Sequence, residues 1–478
     1  MPYKDLREFL DRLEDENQLV HVREEVDWNL EIGAITKRLF DLRGPAPLFE
    51  NIKDHPGKRL VSGLLGPSNP ITARYALALE IPKDTTPTDI MEEFLRRMKN
   101  PIKPRLVKNG PCKENVKTGE DVDILEFPSP IVHEGDGGRY IGTWHTNITK
   151  DSDTGWVNWG TYRMMVYDKK TTAVSYGPAR HIRSHLEKYR SRGENMPMAT
   201  AIGTEPACAI ASGTSIGYGL DEVDLAGGLK REPVDLVKCE TIDLEVPATA
   251  EIVLEGEVSI NETQEEGPFG EYHGYMGSKT IAPVYHVKCI TYRDNPIMTA
   301  SNMSTPIHDS AVLSAISSPA EVLNLLRNSG YPVKAISTLF LPNLYVVSCK
   351  KTHTHMAEHI AYTIWGASRG RVCTHLIVVG EDIDVNDPYQ VLWAFCTRVD
   401  PARDIFVAPH VTFPQLTPFP LDEVEKGIGK FACYDAEFPY YWPEEWKKKP
   451  LSFELGYPKE TQNKAKEKIA KFLTDKRV

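Results

Sequence analysis

The 478-residue sequence has no Cys-x-x-Cys pair. Its eight cysteines stand singly at 112, 208, 239, 289, 349, 373, 396 and 433. This excludes a zinc ribbon, and so large a chain has no need of a disulfide framework. No stretch of about 18 consecutive apolar residues is present, which excludes a membrane-spanning helix. Long basic blocks are also missing and the formal net charge is -11, so nucleic acid is not an expected partner. Neither Gly-x-x-x-x-Gly-Lys-[Ser/Thr] nor Gly-x-Gly-x-x-Gly occurs, and with them go the two signature nucleotide loops. There is no internal repeat and no low-complexity tract. The opening Met1-Pro2-Tyr3-Lys4-Asp5 lacks the apolar core of a signal peptide. Unpaired cysteines and this start give a cytoplasmic expectation.

What remains is an ordinary globular composition, 41 % hydrophobic and 26 % charged. The length calls for two or three domains. Helical periodicity marks 3–17 and 29–42. A buried strand is expected at Leu60–Leu65 and a helix at 87–99, opened by Thr86-Pro87-Thr88-Asp89. The turn-rich stretch 100–112 sets a first boundary. From 113 to about 300 strands dominate, expected at 139–148, 162–167, 171–176, 198–203, 251–259 and 285–293. Helices at 181–192 and 222–229 interrupt them, and the texture is that of a barrel-like sheet. From about 305 helix and strand alternate: helix 319–328, strands 333–340 and 344–349, helix 355–367, strand 374–380, helix 387–398, strand 404–408. That is an α/β pattern. A Pro- and aromatic-rich stretch covers 412–450, and an exposed helix covers Lys459–Lys476. The expected domains are therefore 1–112, 113–304 and 305–478.

The most informative stretch is Glu265-Glu266-Gly267-Pro268-Phe269-Gly270-Glu271-Tyr272-His273-Gly274. Gly and Pro make it a shaped loop after the strand 251–259. Two carboxylates so placed suit one ionised group and one proton donor, although an acidic surface turn has the same spacing. Three further segments belong to the same region. They are Trp156-Val157-Asn158-Trp159-Gly160-Thr161-Tyr162-Arg163, Gly177-Pro178-Ala179-Arg180-His181-Ile182, and Asp221-Glu222-Val223-Asp224-Leu225-Ala226-Gly227. Taken singly, each reads as well as a turn or a helix start.

Together and in this order, the four segments resemble the UbiD family of reversible (de)carboxylases, which use prenylated flavin mononucleotide. Leu236-Val237-Lys238-Cys239, Glu251-Ile252-Val253-Leu254-Glu255-Gly256 and Ile290-Thr291-Tyr292-Arg293-Asp294-Asn295 are similar to the ferulic acid decarboxylase branch of that family, close to the aromatic acid decarboxylases. The likeness resumes at Val379-Gly380-Glu381-Asp382-Ile383-Asp384 and Val391-Leu392-Trp393-Ala394-Phe395.

The resemblance implies an α+β / α/β fold. Its parts would be an N-terminal α/β region, a central split β-barrel that binds flavin, and a C-terminal α/β dimerisation domain. It implies that Asn158, His181 and Glu222 hold a divalent metal, Mn²⁺ or Mg²⁺, a hard mixed set of the right chemistry. A potassium ion accompanies it. Trp159, Thr161, Arg163, Arg180, Ser212, Gly213 and Ser368 join those three around the cofactor. Arg163, Glu266 and Glu271 become the catalytic set: Glu266 ionised and holding Arg163, Arg163 on the substrate carboxylate, and Glu271 the proton donor. The activity implied is non-oxidative decarboxylation of an aromatic, heteroaromatic or α,β-unsaturated acid through a covalent substrate–cofactor adduct. A flavin prenyltransferase would supply the cofactor, and the chain would assemble as a homodimer or homohexamer.

Two departures from the branch stand out. Ser368, flanked by Arg369 and Arg371, takes the place of a phosphate-contacting lysine. Ser314 and Gln415 are polar where the branch is aliphatic, while Phe413 keeps an aromatic, which suggests a ring bearing hydroxyl or nitrogen. Other readings are a carboxylase, the large subunit of a multi-component enzyme, a non-catalytic flavin-binding protein, or a flavin reductase. A further alternative is His353-Thr354-His355-Met356-Ala357-Glu358-His359, which contains the inverted metal motif His-x-x-Glu-His. It competes with the plain reading of an exposed helix start.

Overall fold

The computed structural model describes residues 2–177, 180–367, 370, 372–411 and 429–474. The first helix, Leu6–Asp15, is capped by Asp5, whose carboxylate accepts from the Glu8 N–H at 3.0 Å. It buries Leu6, Phe9, Leu10 and Leu13. Two more helices follow the sequence pattern, Glu31–Asp41 and Pro87–Met98, the second capped by Thr86 with Pro87 in its first turn. The N-terminal sheet has four strands, ordered Leu19–Val22, Ala46–Phe49, Arg59–Ser62 and Ile297–Ala300. Its last strand arrives from 238 residues downstream and pairs in parallel, Ile297 beside Arg59. The join is fixed by Glu251, a fully buried carboxylate. Both its oxygens accept from Arg7 at 2.8 Å, and Arg293 and the Ile297 N–H donate to it as well.

The middle region is a seven-stranded, largely antiparallel sheet. Its path runs Thr171–Ala173, Thr280–Tyr292, Ile252–Glu266, Met196–Ile202, His145–Lys150 and Val157–Gly160, with Asn115–Thr118 also paired to Thr280–Tyr292. The strand expected to end at 259 continues to Glu266, which faces Thr280 in the ladder. Residues Asn261–Glu265 are exposed, so the hairpin arm overhangs the core and its polar sequence hides it from pattern reading. Glu265 and Glu266 thus close a strand, and the loop begins at Gly267. The run expected as one strand over 162–167 keeps only Met164–Met165, while 139–148 splits into Tyr140–Gly142 and His145–Lys150. Helices His181–Arg192, Pro206–Gly213 and Glu222–Lys230 flank the sheet. The middle one was not anticipated.

The third region opens with the 20-residue helix Asp309–Asn328, which runs through Pro319. A start at Pro319 is what proline preference suggests. The two preceding turns are helical because Val312, Leu313, Ala315 and Ile316 continue its buried face. The sheet beyond has the order Val333–Ser337, Leu344–Cys349, His375–Val379, Gly429–Ala436, Ile405–Val411. Its three central strands are parallel and both edges antiparallel. Gly429–Ala436 was unforeseen within the Pro- and aromatic-rich stretch. Lys459–Thr474 is the expected terminal helix. No helix among the described residues is long and apolar enough to cross a membrane.

Candidate active site

Arg163 follows the strand Val157–Gly160, and the sheet brings it to Glu266, 103 residues away. Its Nε donates to Glu266 Oε1 at 2.8 Å and its Nη2 to Oε2 at 2.8 Å, a two-pronged guanidinium–carboxylate fork. Nη1 donates to Glu271 Oε1. All three groups are largely withdrawn from water, with side-chain exposures of 17 %, 0 % and 8 % in the order Arg163, Glu266, Glu271. The Glu266 carboxyl takes two more donors, the Tyr140 hydroxyl at 2.8 Å and the Thr280 hydroxyl at 3.2 Å. Four donors around one carboxyl is the environment of a carboxylate.

Burial alone would push the Arg163 guanidinium down. Its bonds to Glu266 and the field of Glu271 outweigh that and hold it above its ordinary value. Glu271 behaves oppositely. Burial raises its pKa, Arg163 pulls it back, and the charge of Glu266 raises it further, with a net shift upward. The two carboxyls therefore differ in kind. Glu266 is saturated with donors, while Glu271 has one cation and is pushed toward its protonated form.

Backbone geometry sets the carboxyl-bearing loop. Gly267 has φ +85°, and a Cβ at Gly137 would lie 2.1 Å from the Gly267 carbonyl oxygen. Two glycines therefore let the chains pass, and the Gly137 N–H donates to Pro268 at 2.8 Å. Beyond it the Glu271 N–H donates to the Tyr275 carbonyl at 3.0 Å, and the Gly274 N–H returns to the Glu271 carbonyl at 2.9 Å. The Phe269 ring lies 4.0 Å from that of Tyr140 and under the Arg163 guanidinium at 5.5 Å.

A second group sits on the same strand segment. Asn158 is buried, and its amide nitrogen donates to the Tyr162 hydroxyl at 3.4 Å. The N–H of its neighbour Trp159 donates to Glu222 Oε2 at 2.9 Å. His181 Nδ1 stands 3.9 Å from Glu222 Oε1, with the His181 ring against Trp156. Both acids and bases here come from helix starts: His181 begins His181–Arg192 and Glu222 begins Glu222–Lys230. Burial raises the Glu222 pKa, although His181 and the Trp159 N–H oppose it. A buried carboxyl so short of positive charge suits a cation.

The other expected residues are more dispersed. Thr161 is exposed and donates to the His145 carbonyl at 3.0 Å. Arg180 is exposed and reaches the Ser215 hydroxyl at 3.2 Å. The Ser212 hydroxyl pairs with Thr146 at 2.7 Å, and Gly213 lies against Leu313. Ser314 is exposed, its hydroxyl turned back onto the Ser310 carbonyl at 2.7 Å. Ser368, Arg369, Arg371, Phe413 and Gln415 lie outside the described residues.

The inverted-motif alternative does not assemble. His355 is not part of the helix Met356–Gly366 but its N-cap, in a left-handed conformation with φ 62°. His355 pairs with Glu358 at 2.8 Å and His353 with His359 at 3.1 Å. Among the described residues no three His, Cys, Asp or Glu side chains gather to hold a metal. The Asn158 group has two such residues and an amide.

Sequence reasoning missed Tyr140 and Thr280. Neither carries a local signal, because only strand register sets them beside Glu266.

Known proteins match this sequence along most of its length, from residue 10 to residue 430 in three family models. The family model described as the 3-octaprenyl-4-hydroxybenzoate carboxy-lyase N-terminal domain matches residues 10–94, the Rift-related domain 105–306 and the C-terminal domain 315–430. Pyrrole-2-carboxylic acid decarboxylase of Pseudomonas aeruginosa is 36 % identical over 97 % of this chain and 97 % of its own length. Ferulic acid decarboxylase 1 of Saccharomyces cerevisiae is 32 % identical over 98 % and 97 %. Among solved structures, the UbiD-class enzyme HmfF of Pelotomaculum thermopropionicum in complex with FMN has a TM-score of 0.83 at 31 % identity, covering 93 % of this chain and 97 % of its own. An evolved dimeric form of it in complex with prFMN gives 0.80 at 30 %, covering 92 % and 96 %.

Proposed function

Because the chain belongs to the UbiD family, we propose that it is a carboxy-lyase acting on an aromatic, heteroaromatic or α,β-unsaturated carboxylic acid with prenylated FMN. The observation that carries this is Arg163 held between two buried carboxyls of different character. A guanidinium has five N–H donors. Three go to Glu266 and Glu271, and the other two remain for a substrate carboxylate. Glu266, with the Tyr140 and Thr280 hydroxyls, fixes the plane of that fork. Phe269 and Tyr140 wall the guanidinium and exclude water, which strengthens its grip on the carboxylate. Bound prenylated FMN supplies an electron sink for the pair left when CO₂ departs. Glu271, biased toward its acid form, then gives its proton to the carbon that lost the carboxyl group. In reverse, the same groups would serve carboxylation.

The cofactor phosphate would be held through Mn²⁺ or Mg²⁺ on Glu222, His181 and the Asn158 amide oxygen, with K⁺ nearby. Trp159, Thr161, Arg163, Arg180, Ser212, Gly213 and Ser368 complete the proposed cofactor shell. The carboxylate–imidazole–amide set, and the rise in the Glu222 pKa on burial, support a hard divalent ion there. Ser314, Phe413 and Gln415 would line a polar substrate pocket. The pyrrole acid decarboxylated by the Pseudomonas relative supports a ring with a heteroatom. We assign the chain to the cytoplasm, as a homodimer or homohexamer, with its cofactor delivered by a flavin prenyltransferase.

Native mass spectrometry with an absorbance spectrum, on protein co-expressed with a flavin prenyltransferase, tests this reading. It expects a bound mass of prenylated FMN plus a divalent ion. Flavin-free protein under these conditions would overturn the cofactor assignment.

A further inference from the structure

His308 is fully buried at the junction where the helix Asp309–Asn328 begins. It is the N-cap of that helix: its Nδ1 accepts from the Ala311 N–H at 3.3 Å. Its other ring nitrogen, Nε2, lies 3.0 Å from the carbonyl oxygen of Tyr272. Burial depresses its pKa to about 4, so the ring is neutral near pH 7. A neutral ring that accepts at Nδ1 carries its proton on Nε2. The tautomer is thereby fixed, and Nε2–H donates to Tyr272.

Tyr272 follows Glu271 directly. Its hydroxyl donates to Asn343 Oδ1 at 3.3 Å, so both its backbone and its side chain are held by the C-terminal region. On the same turn, Gly274 has φ +86°, and a Cβ there would lie 2.9 Å from Thr305 Cα. The turn that carries Glu271 is therefore clamped from outside. Arg163 follows the strand Val157–Gly160 and Glu266 closes the strand Ile252–Glu266, so neither lies on the turn that His308 holds.

We propose that His308 is a positioning residue, which fixes the 271–275 turn so that the Glu271 carboxyl points at the reacting carbon. The inference rests on the reading of Glu271 as the proton donor. A displacement of about 1 Å of a reacting group can cost up to about a hundredfold in rate. Loss of one clamp from a turn held by others should cost about tenfold.

Two variants separate clamping from folding. His308→Asn keeps a good N-cap acceptor and loses the donor to Tyr272. His308→Gln puts an amide N–H near the position of Nε2. His308→Asn should lower kcat about tenfold with KM unchanged, and amide exchange over 271–277 should quicken about tenfold. His308→Gln should recover most of both. Wild-type kcat and exchange in His308→Asn would overturn the proposal. So would an equal loss in both variants accompanied by a large fall in Tm, which marks a purely structural role. Exchange is measured on the flavin-free protein as well. If the wild type released no CO₂, the decarboxylase reading would fail, while the exchange difference would still decide whether His308 holds the turn.

Discussion

The Tyr140 hydroxyl donates to Glu266 Oε1 at 2.8 Å, the same oxygen that receives Nε of Arg163. A neutral group from a strand with no catalytic signature thus fixes the carboxylate that orients the guanidinium. Tyr140→Phe keeps the ring against Phe269 and removes one donor. Hydrogen bonds to charged groups are worth about 1.5–3 kcal/mol, and Glu266 retains three others. The variant should lose about tenfold in kcat/KM with flavin content unchanged, read by steady-state kinetics beside the flavin absorbance.

The pH profile should follow Glu271. A proton donor works in its acid form, and burial holds this carboxyl above its ordinary value. Activity should therefore persist through the range where an exposed glutamate, with a pKa of about 4.3, has already ionised. It should fall as pH rises through the raised pKa. Glu271→Gln should remove that limb together with turnover. A kcat that climbs steadily with pH, and then levels, would assign Glu271 the role of base instead.

Metal and flavin should leave together. His181→Ala and Glu222→Ala should each lower bound divalent ion and bound flavin by tenfold or more, measured by elemental analysis and absorbance. Arg163→Lys should keep both and lose at least about a hundredfold in kcat/KM, because lysine cannot form the fork. Retention of flavin in Glu222→Ala would remove that residue from the cofactor site.

Some of this was legible in the chain itself. The helices His181–Arg192 and Pro87–Met98 lie where they were expected; Thr86-Pro87 announced the second, and caps are local chemistry. Glu266 and Glu271 stood out for their loop, but Arg163 lies 103 and 108 residues from them. Only resemblance joined it to them in advance. Tyr140 and Thr280 were invisible because strand register is a property of pairing, not of composition. The arm Asn261–Glu265 is exposed and polar, so no alternation betrayed the strand that ends at Glu266. Pro319 misplaced the start of Asp309–Asn328, and with it hid His308 as the cap.

The cap region predicts a stability effect. Asp309 is fully buried, accepts from the Ser301 hydroxyl at 2.7 Å, and has its second oxygen unpaired. Burial pushes its pKa up to about 7. The folded protein therefore holds this proton more tightly than the unfolded chain. The resulting stability is complete below about pH 4 and lost as pH rises toward 7. Asp309→Asn should flatten that decline, seen as a smaller change in urea midpoint between pH 4.5 and 7 than in the wild type, both values chosen as roughly spanning the window. Parallel pH dependences would show Asp309 ionised throughout.

The most direct measurement runs the loaded enzyme in D₂O on a panel of carboxyl-labelled acids: pyrrole-2-carboxylate, hydroxybenzoates and cinnamates. Labelled CO₂ and product are both followed. The wild type should release CO₂ from at least one acid and place deuterium on the carbon that bore the carboxyl. Glu271→Gln, still carrying its flavin, should do neither at a comparable rate. Flavin-loaded wild type that releases no CO₂ from any member, or Glu271→Gln that deuterates as fast as wild type, would contradict the account.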